Sequence, residues 1–169
     1  MTNATDNNAT RAAAAPEPPR KEERARTPLN VEHLRRTADT LQEAVTQLTA
    51  VEDGQSVLYD LFRNAAIKSF ELSLETTGKL LRKALKLYGG SPSEVDKLVF
   101  KDVLRHTSKH GLLDEKAVER WFAYRANRNT TAHDYGEGFA NETLKILPAY
   151  VQDVRALAAT LQEVFDAQT

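Results

Sequence analysis

In the stretch RANRNTTAHDYGE, residues 125–137, Arg128 and His133 stand five residues apart, with Asn129 beside the arginine and Tyr135 two positions beyond the histidine. These are the groups that metal-free chemistry on a phosphodiester requires. Cleavage of RNA by its own 2′-hydroxyl needs a base to take the hydroxyl proton, a cation to hold the charge of the phosphorane, and an acid to protonate the departing 5′-oxygen. An imidazole titrating at about pH 6.5 can perform either proton transfer. A guanidinium can hold phosphate oxygens in a fork of fixed donors. On a helix, five residues advance about 140° and rise about 7.5 Å, so Arg128 and His133 do not share a stripe, whereas Arg128 and Tyr135, seven apart, would. The two reach one phosphate if the arginine swings, if the helix frays near Gly136, or if two copies meet across an axis and supply two histidines. The competing reading is a helix end with ordinary surface polarity.

Other chemically capable residues carry less. His106 and His110 lie four apart, a spacing that can share a metal, but neither a third ligand nor the glutamate of a metalloprotease helix stands beside them, so no metal is expected. His33 sits by a run of arginines and reads as solvated. Lys79, Arg82, Lys83 and Lys86 read as the wet face of a helix, with a phosphate track as the alternative.

The elements that position these groups follow from apolar spacing. Residues 1–27 are polar, alanine-rich and proline-bearing and end in the charge run RKEERAR, with nothing to offset the entropy of ordering; a disordered arm is expected, with one domain over residues 28–169. Val31, Leu34, Leu41, Val45 and Leu48 mark a first helix that Gly54 ends. A second runs from near Ser56 to Tyr88, its inner positions including Leu58, Leu61, Phe62, Phe70, Leu72, Leu74, Leu80, Leu81, Leu85 and Leu87, and stops at Gly89 and Gly90. Ser91, Pro92 and Glu94 form a capping box with a starter proline for a third helix, which carries Val95, Leu98, Val99, Val103 and Leu104 inward and stops near Gly111. Asp114 caps a fourth helix, with Val118, Trp121, Phe122 and Tyr124 facing in. Pro148 falls inside the final helix and predicts a kink. Nothing alternates with period two, so the fold class is all-α: an antiparallel bundle of about five helices joined by short loops. A bundle this small can extend its apolar stripe across a two-fold axis, which makes a homodimer the expected assembly, with larger oligomers open.

Composition excludes several classes. Hydrophobic residues are 41% and charged residues 28% of the 169, the balance of a chain with one core. There is no cysteine, so disulfide frameworks, zinc ribbons and thiol nucleophiles are out, which agrees with a reducing compartment and a cytoplasmic location. No apolar run spans a bilayer, and residues 1–20 lack the hydrophobic centre of a secretory signal. Net charge is −1, so phosphate attraction must come from a local cluster.

The order FRNAAIKSFELSLETTGKLLRKAL, GGSPSEVDKLVFKDVL, GLLDEKAVERWFAYRANRNTTAHDY and a last helix resembles the HepT-like HEPN family, whose members are also called nucleotidyltransferase substrate-binding proteins. The resemblance runs from about Pro28 to Phe165. The family signature of an arginine, a small polar residue, a spacer, a histidine, one residue and a tyrosine falls on Arg128, Asn129, His133 and Tyr135. It implies a bundle that dimerises so that both Arg/His pairs line one cleft, and a metal-independent, cofactor-free endoribonuclease serving as the toxin of a toxin–antitoxin pair. It also implies an MntA-like nucleotidyltransferase antitoxin that transfers AMP to Tyr135. An adenylyl group there would add charge where RNA phosphates must sit and would fill the cleft. The sequence departs from the family at Glu75-Thr76-Thr77-Gly78-Lys79, where the family often has Glu-x-x-Trp-Lys. A mid-helix glycine costs about 1 kcal/mol against alanine, so another segment must fill the space or the helix must bend. Glu75 and Lys79 either orient the site residues or form an ordinary surface ion pair.

The expected function is therefore an endoribonuclease that leaves 2′,3′-cyclic phosphate ends, with His133 as acid/base, Arg128 as phosphate clamp, Asn129 orienting and Tyr135 as AMP acceptor. The alternatives are a non-catalytic substrate-binding or regulatory subunit of a nucleotidyltransferase, and a purely structural helical adaptor.

Overall fold

The computed structural model describes residues 30–89, 91–131 and 137–168, and the side chains of all of these except 130, 131 and 137–140. The expected N-terminal arm, His133 and Tyr135 lie outside the described residues. Among the described residues there are six helices and no strand: α1 (Val31–Ala50), α2 (Val57–Leu87), α3 (Pro92–Lys97), α4 (Phe100–Lys109), α5 (Glu115–Thr131) and α6 (Glu137–Asp166).

Local chemistry sets most of the boundaries. The Asn30 side chain caps α1 by accepting from the His33 N–H at 3.0 Å, and Ser56 Oγ caps α2 by accepting from Tyr59 N–H at 3.1 Å. Asp114 caps α5 as expected, its carboxylate 2.6 Å from the Ala117 nitrogen. Gly89 and Gly111, at φ +86 and +73, follow the ends of α2 and α4, where a side chain would be strained. After α4, Gly111 N–H and Leu112 N–H close back onto the Ser108 and Thr107 carbonyls at 2.9 and 3.0 Å.

Cross-links fix the directions. Arg35 meets Gln162 and Asp39 meets Arg155, so α1 and α6 are antiparallel. Asn127 meets Thr143 and Arg120 meets Asp153, so α5 and α6 are antiparallel as well. Ser73 meets Tyr150 and Lys83 meets Phe165, so α2 and α6 run side by side in the same direction. The core lies between α1, α2, α5 and α6, and its largest fully buried side chains include Trp121, Tyr150, Phe70, Leu34 and Leu41. Phe70, Tyr124 and Trp121 each meet the Tyr150 ring edge-on, with centroids 4.7, 5.0 and 5.6 Å away.

The third expected helix is in fact two. Leu98 and Val99 leave helical geometry, with ψ of 133 and 158, and the chain restarts as α4. The cause is tertiary: Arg82 Nη2 donates to the Leu98 carbonyl at 2.9 Å, which withdraws that oxygen from any helical ladder. Val99, expected inside, is 63% exposed. Leu58, Leu61, Leu72 and Leu87 are also exposed rather than buried. Pro92 does open α3, but Ser91 makes no side-chain cap; its hydroxyl lies 3.1 Å from that of Ser93. At Pro148, α6 continues as one helix with the ring on its exposed side, where water can satisfy the carbonyl that proline leaves without a donor. Among the described residues no helix is long and apolar enough to cross a membrane.

Candidate functional site

The last turns of α5 carry the described half of the arginine–histidine pattern. Arg128 is partly buried and Asn129 is exposed. Two contacts with α6 hold this end of α5. Closer to the middle, Asp153 accepts from Arg120 Nε and Nη2, both at 2.7 Å, and from the Tyr124 hydroxyl at 2.7 Å. Burial tends to raise the Asp153 pKa, but the hydrogen bonds from Arg120 and Tyr124 outweigh it and hold the carboxyl below its usual value. The Tyr124 hydroxyl is pushed up, first by burial and then by its bond to the carboxylate. Nearer the end, the buried Thr143 hydroxyl lies 3.0 Å from Asn127 Oδ1. Arg128 follows Tyr124 by one turn, so its backbone is fixed by this clamp.

The Arg128 charge reaches α2. Lys79 Nζ sits 2.6 Å from Glu75 Oε1, an exposed pair one turn apart. The Lys79 hydrogen bond and charge hold the Glu75 carboxyl below its usual range, and Arg128 and then Lys68 act in the same direction, against burial. Glu75 and Lys79 thus form the intrahelical ion pair expected as one alternative, and Glu75 also lies within the field of Arg128. Such an exposed pair stabilises by about 0.3–0.5 kcal/mol, so its importance to the fold is small.

Gly78 resolves the other alternative. A Cβ built there would lie 3.2 and 3.3 Å from ring carbons of Phe100 and 3.4 Å from Arg82 Nη1. The first residue of α4 therefore fills the space in front of α2. Arg82, expected on a solvated face, is half-buried and bonds the Gly78 and Leu98 carbonyls at 3.1 and 2.9 Å. Across the same ring, Arg125 places its guanidinium 5.3 Å from the Phe100 centroid. Burial first, then the charges of Arg128 and Arg82, lowers the Arg125 pKa. Sequence reasoning missed Arg82, Arg125 and Phe100 as neighbours of the pattern. A signal existed at Gly78, because an unexplained glycine inside a helix marks the close approach of something large.

His106 and His110 do not join this region. They border a cleft of about 290 Å³ with Glu94, walled by Leu85, Val95 and Leu98, and Tyr88 stacks on His110 at 4.6 Å. No group of three or more metal-ligating side chains occurs among the described residues.

Comparison with known proteins bears on the family and the fold. Residues 29–163 match the family model described as nucleotidyltransferase substrate binding protein like. A Haemophilus influenzae protein named probable ribonuclease HepT is 28% identical over 112 residues, covering 64% of this chain and 75% of the relative. A solved Haemophilus influenzae structure, said to reveal the fold of a substrate binding domain of a nucleotidyltransferase, superposes with a TM-score of 0.70 at 25% identity, covering 79% of this chain and 99% of the other. A crystal structure of a Thermus thermophilus protein superposes with a TM-score of 0.62 at 26% identity, covering 76% and 98%. The all-α bundle, the match over nearly the whole described chain and the HepT relative together place this protein in the HepT-like, nucleotidyltransferase substrate-binding protein family.

Proposed function

We propose that the chain is a metal-independent endoribonuclease toxin of a HepT/MntA-type pair, held inactive when a partner nucleotidyltransferase transfers AMP to Tyr135. The observation that carries this reading is the clamped end of α5. It presents Arg128 and Asn129 immediately before His133 and Tyr135 in the chain, in a relative of a protein named probable ribonuclease HepT. Arg128 holds the scissile phosphate and offsets its developing charge. His133 takes the 2′-hydroxyl proton and, with its copy in a second protomer, supplies the acid for the leaving oxygen. Asn129 orients the phosphate, and Glu75 with Lys79 sets the field around Arg128. The products are a 2′,3′-cyclic phosphate and a 5′-hydroxyl.

Assembly as a homodimer in the cytoplasm belongs to the same proposal. Val57, Leu58 and Leu61 at the start of α2 and Leu72 three turns on are 85, 51, 60 and 43% exposed, with the charged Lys68 between them on the same face. The turns after Leu72 on that face carry Glu75 and Lys79. A second copy covering this face would bring two α5 ends towards one groove. The test is a ribonuclease assay on metal-stripped protein with end analysis, repeated with His133→Ala and after AMP transfer. Loss of cleavage in both is expected. Undiminished cleavage by His133→Ala would overturn the mechanism. A second reading, a non-catalytic substrate-binding subunit, has the Haemophilus substrate-binding-domain structure in its favour. It gains if the protein binds the transferase yet cuts no RNA in excess.

A further inference from the structure

Three guanidinium groups gather where α2, the start of α4 and the end of α5 meet: Arg82, Arg125 and Arg128. Arg125 and Arg128 are three apart on one helix, which makes them neighbours on its surface. Arg82 is pinned by two carbonyls, and neither Arg82 nor Arg125 has a carboxylate ion-pair partner among the described residues. Four other arginines are paired: Arg63 with Asp60, Arg105 with Asp102, Arg120 with Asp153 and Arg155 with Asp39, while Arg36, unpaired among the described residues, is exposed to water. Half-buried like charges without counter-charge destabilise a fold, so Arg82 and Arg125, kept in this state, call for an anion from outside. The geometry adds a second requirement. Arg125 lies over the Phe100 ring, which rests against Gly78, and this layered pair is partly open to solvent. A planar guanidinium on an aromatic ring is a surface on which a nucleobase stacks, while its N–H fork binds a phosphate. Any Cβ at position 78 would press on Phe100, so the glycine sets the seat of the ring.

We propose that Arg82, Phe100 and Arg125 form a subsite for the nucleotide that flanks the scissile phosphate of single-stranded RNA, its base stacked on the Arg125–Phe100 layer and its phosphate held by Arg125 and Arg82. This rests on the ribonuclease reading and deepens it: Arg128 serves the bond that breaks, and the neighbouring arginines serve the nucleotide beside it. The subsite accepts any base, because stacking and phosphate contacts do not read base edges.

The test uses the full-length protein and a fluorescent single-stranded oligoribonucleotide with every 2′-hydroxyl methylated, which binds without being cut. Anisotropy is measured across a salt series. Arg125→Gln is expected to weaken binding about tenfold, the size of one lost stacking partner, and to flatten the slope of log affinity against log salt by about 0.7, one phosphate contact on a single strand. Arg125→Lys recovers the slope and only part of the affinity. Phe100→Leu weakens binding and leaves the slope unchanged. Melting curves establish that each variant is folded, and if Arg125→Gln is not, Arg125→Lys against Phe100→Leu still separates charge from stacking. Wild-type affinity and slope in Arg125→Gln, or a wild type that does not bind the oligomer, overturns the subsite. So does a variant that loses the partner transferase but keeps the oligomer, since the patch would then be a protein-docking surface. Binding that falls as expected while the wild type cuts no RNA upholds the subsite and removes the ribonuclease reading, so the two failures are distinguishable.

Discussion

Replacing Asp153 with asparagine tests the clamp that positions the α5 end. The carboxylate takes three donors, two from Arg120 and one from Tyr124, and its side chain is only 15% exposed while that of Arg120 is 47% exposed. An amide of the same shape keeps one acceptor and turns an N–H₂ group towards the remaining donors. The half-exposed Arg120 pair accounts for about 0.5–1 kcal/mol after solvent screening. A Tyr124 hydroxyl left without its acceptor costs about 1–3 kcal/mol more. The sum, about 1.5–4 kcal/mol, corresponds to roughly 3–16 °C in Tm for a domain of this size. Thermal melts at neutral pH read it directly. Adding Tyr124→Phe to Asp153→Asn should cost little more, because the hydroxyl has already lost its partner. The pH dependence has a definite sign. The folded Asp153 pKa lies below the ordinary carboxylate value, so its contribution is present above that value and lost as pH falls through the folded pKa. The wild type and Asp153→Asn should therefore converge below about pH 4. A loss of under about 2 °C, strictly additive single changes, or a gap that persists in acid would refute the reasoning.

Thr77 Oγ1 is buried and makes no hydrogen bond in the structure, so Thr77→Val, which keeps the shape, should raise stability by about 1 kcal/mol in urea unfolding. Tyr150→Phe removes a fully buried hydroxyl lying 2.7 Å from Ser73 Oγ and should cost about 1–2 kcal/mol in the same assay. For Gly78→Ala, the helix-propensity gain of about 1 kcal/mol opposes contacts of 3.2–3.4 Å with Phe100 and Arg82. The partly open ring yields by a few tenths of an ångström, so near-neutral stability is expected together with weaker oligomer binding. Leu61→Lys, on the exposed face at the start of α2, should shift the protein from dimer to monomer in sedimentation without lowering the stability of the monomer fold.

Sequence alone determined the existence of the long helices, both ends of α1 and α2 and the start of α5. The information lies in local chemistry: apolar residues at helical spacing, Asp114 as a cap, and glycines at 89 and 111 where the helices stop. It also singled out Arg128 and Asn129, because side-chain type and spacing carry chemistry before any fold is known. Tertiary structure decided where α3 ends and α4 begins, since Leu98 and Val99 are apolar and contain no breaker. Only the Arg82 guanidinium, reaching over from α2, takes the Leu98 carbonyl out of the helix. It also decided which leucines of α2 are covered, because a helix with apolar residues on several sides does not encode which of them its neighbours will reach. The grouping of Arg82, Phe100 and Arg125 is of the same kind: three residues far apart in the chain, brought together because a glycine on one helix leaves room for a ring at the start of another.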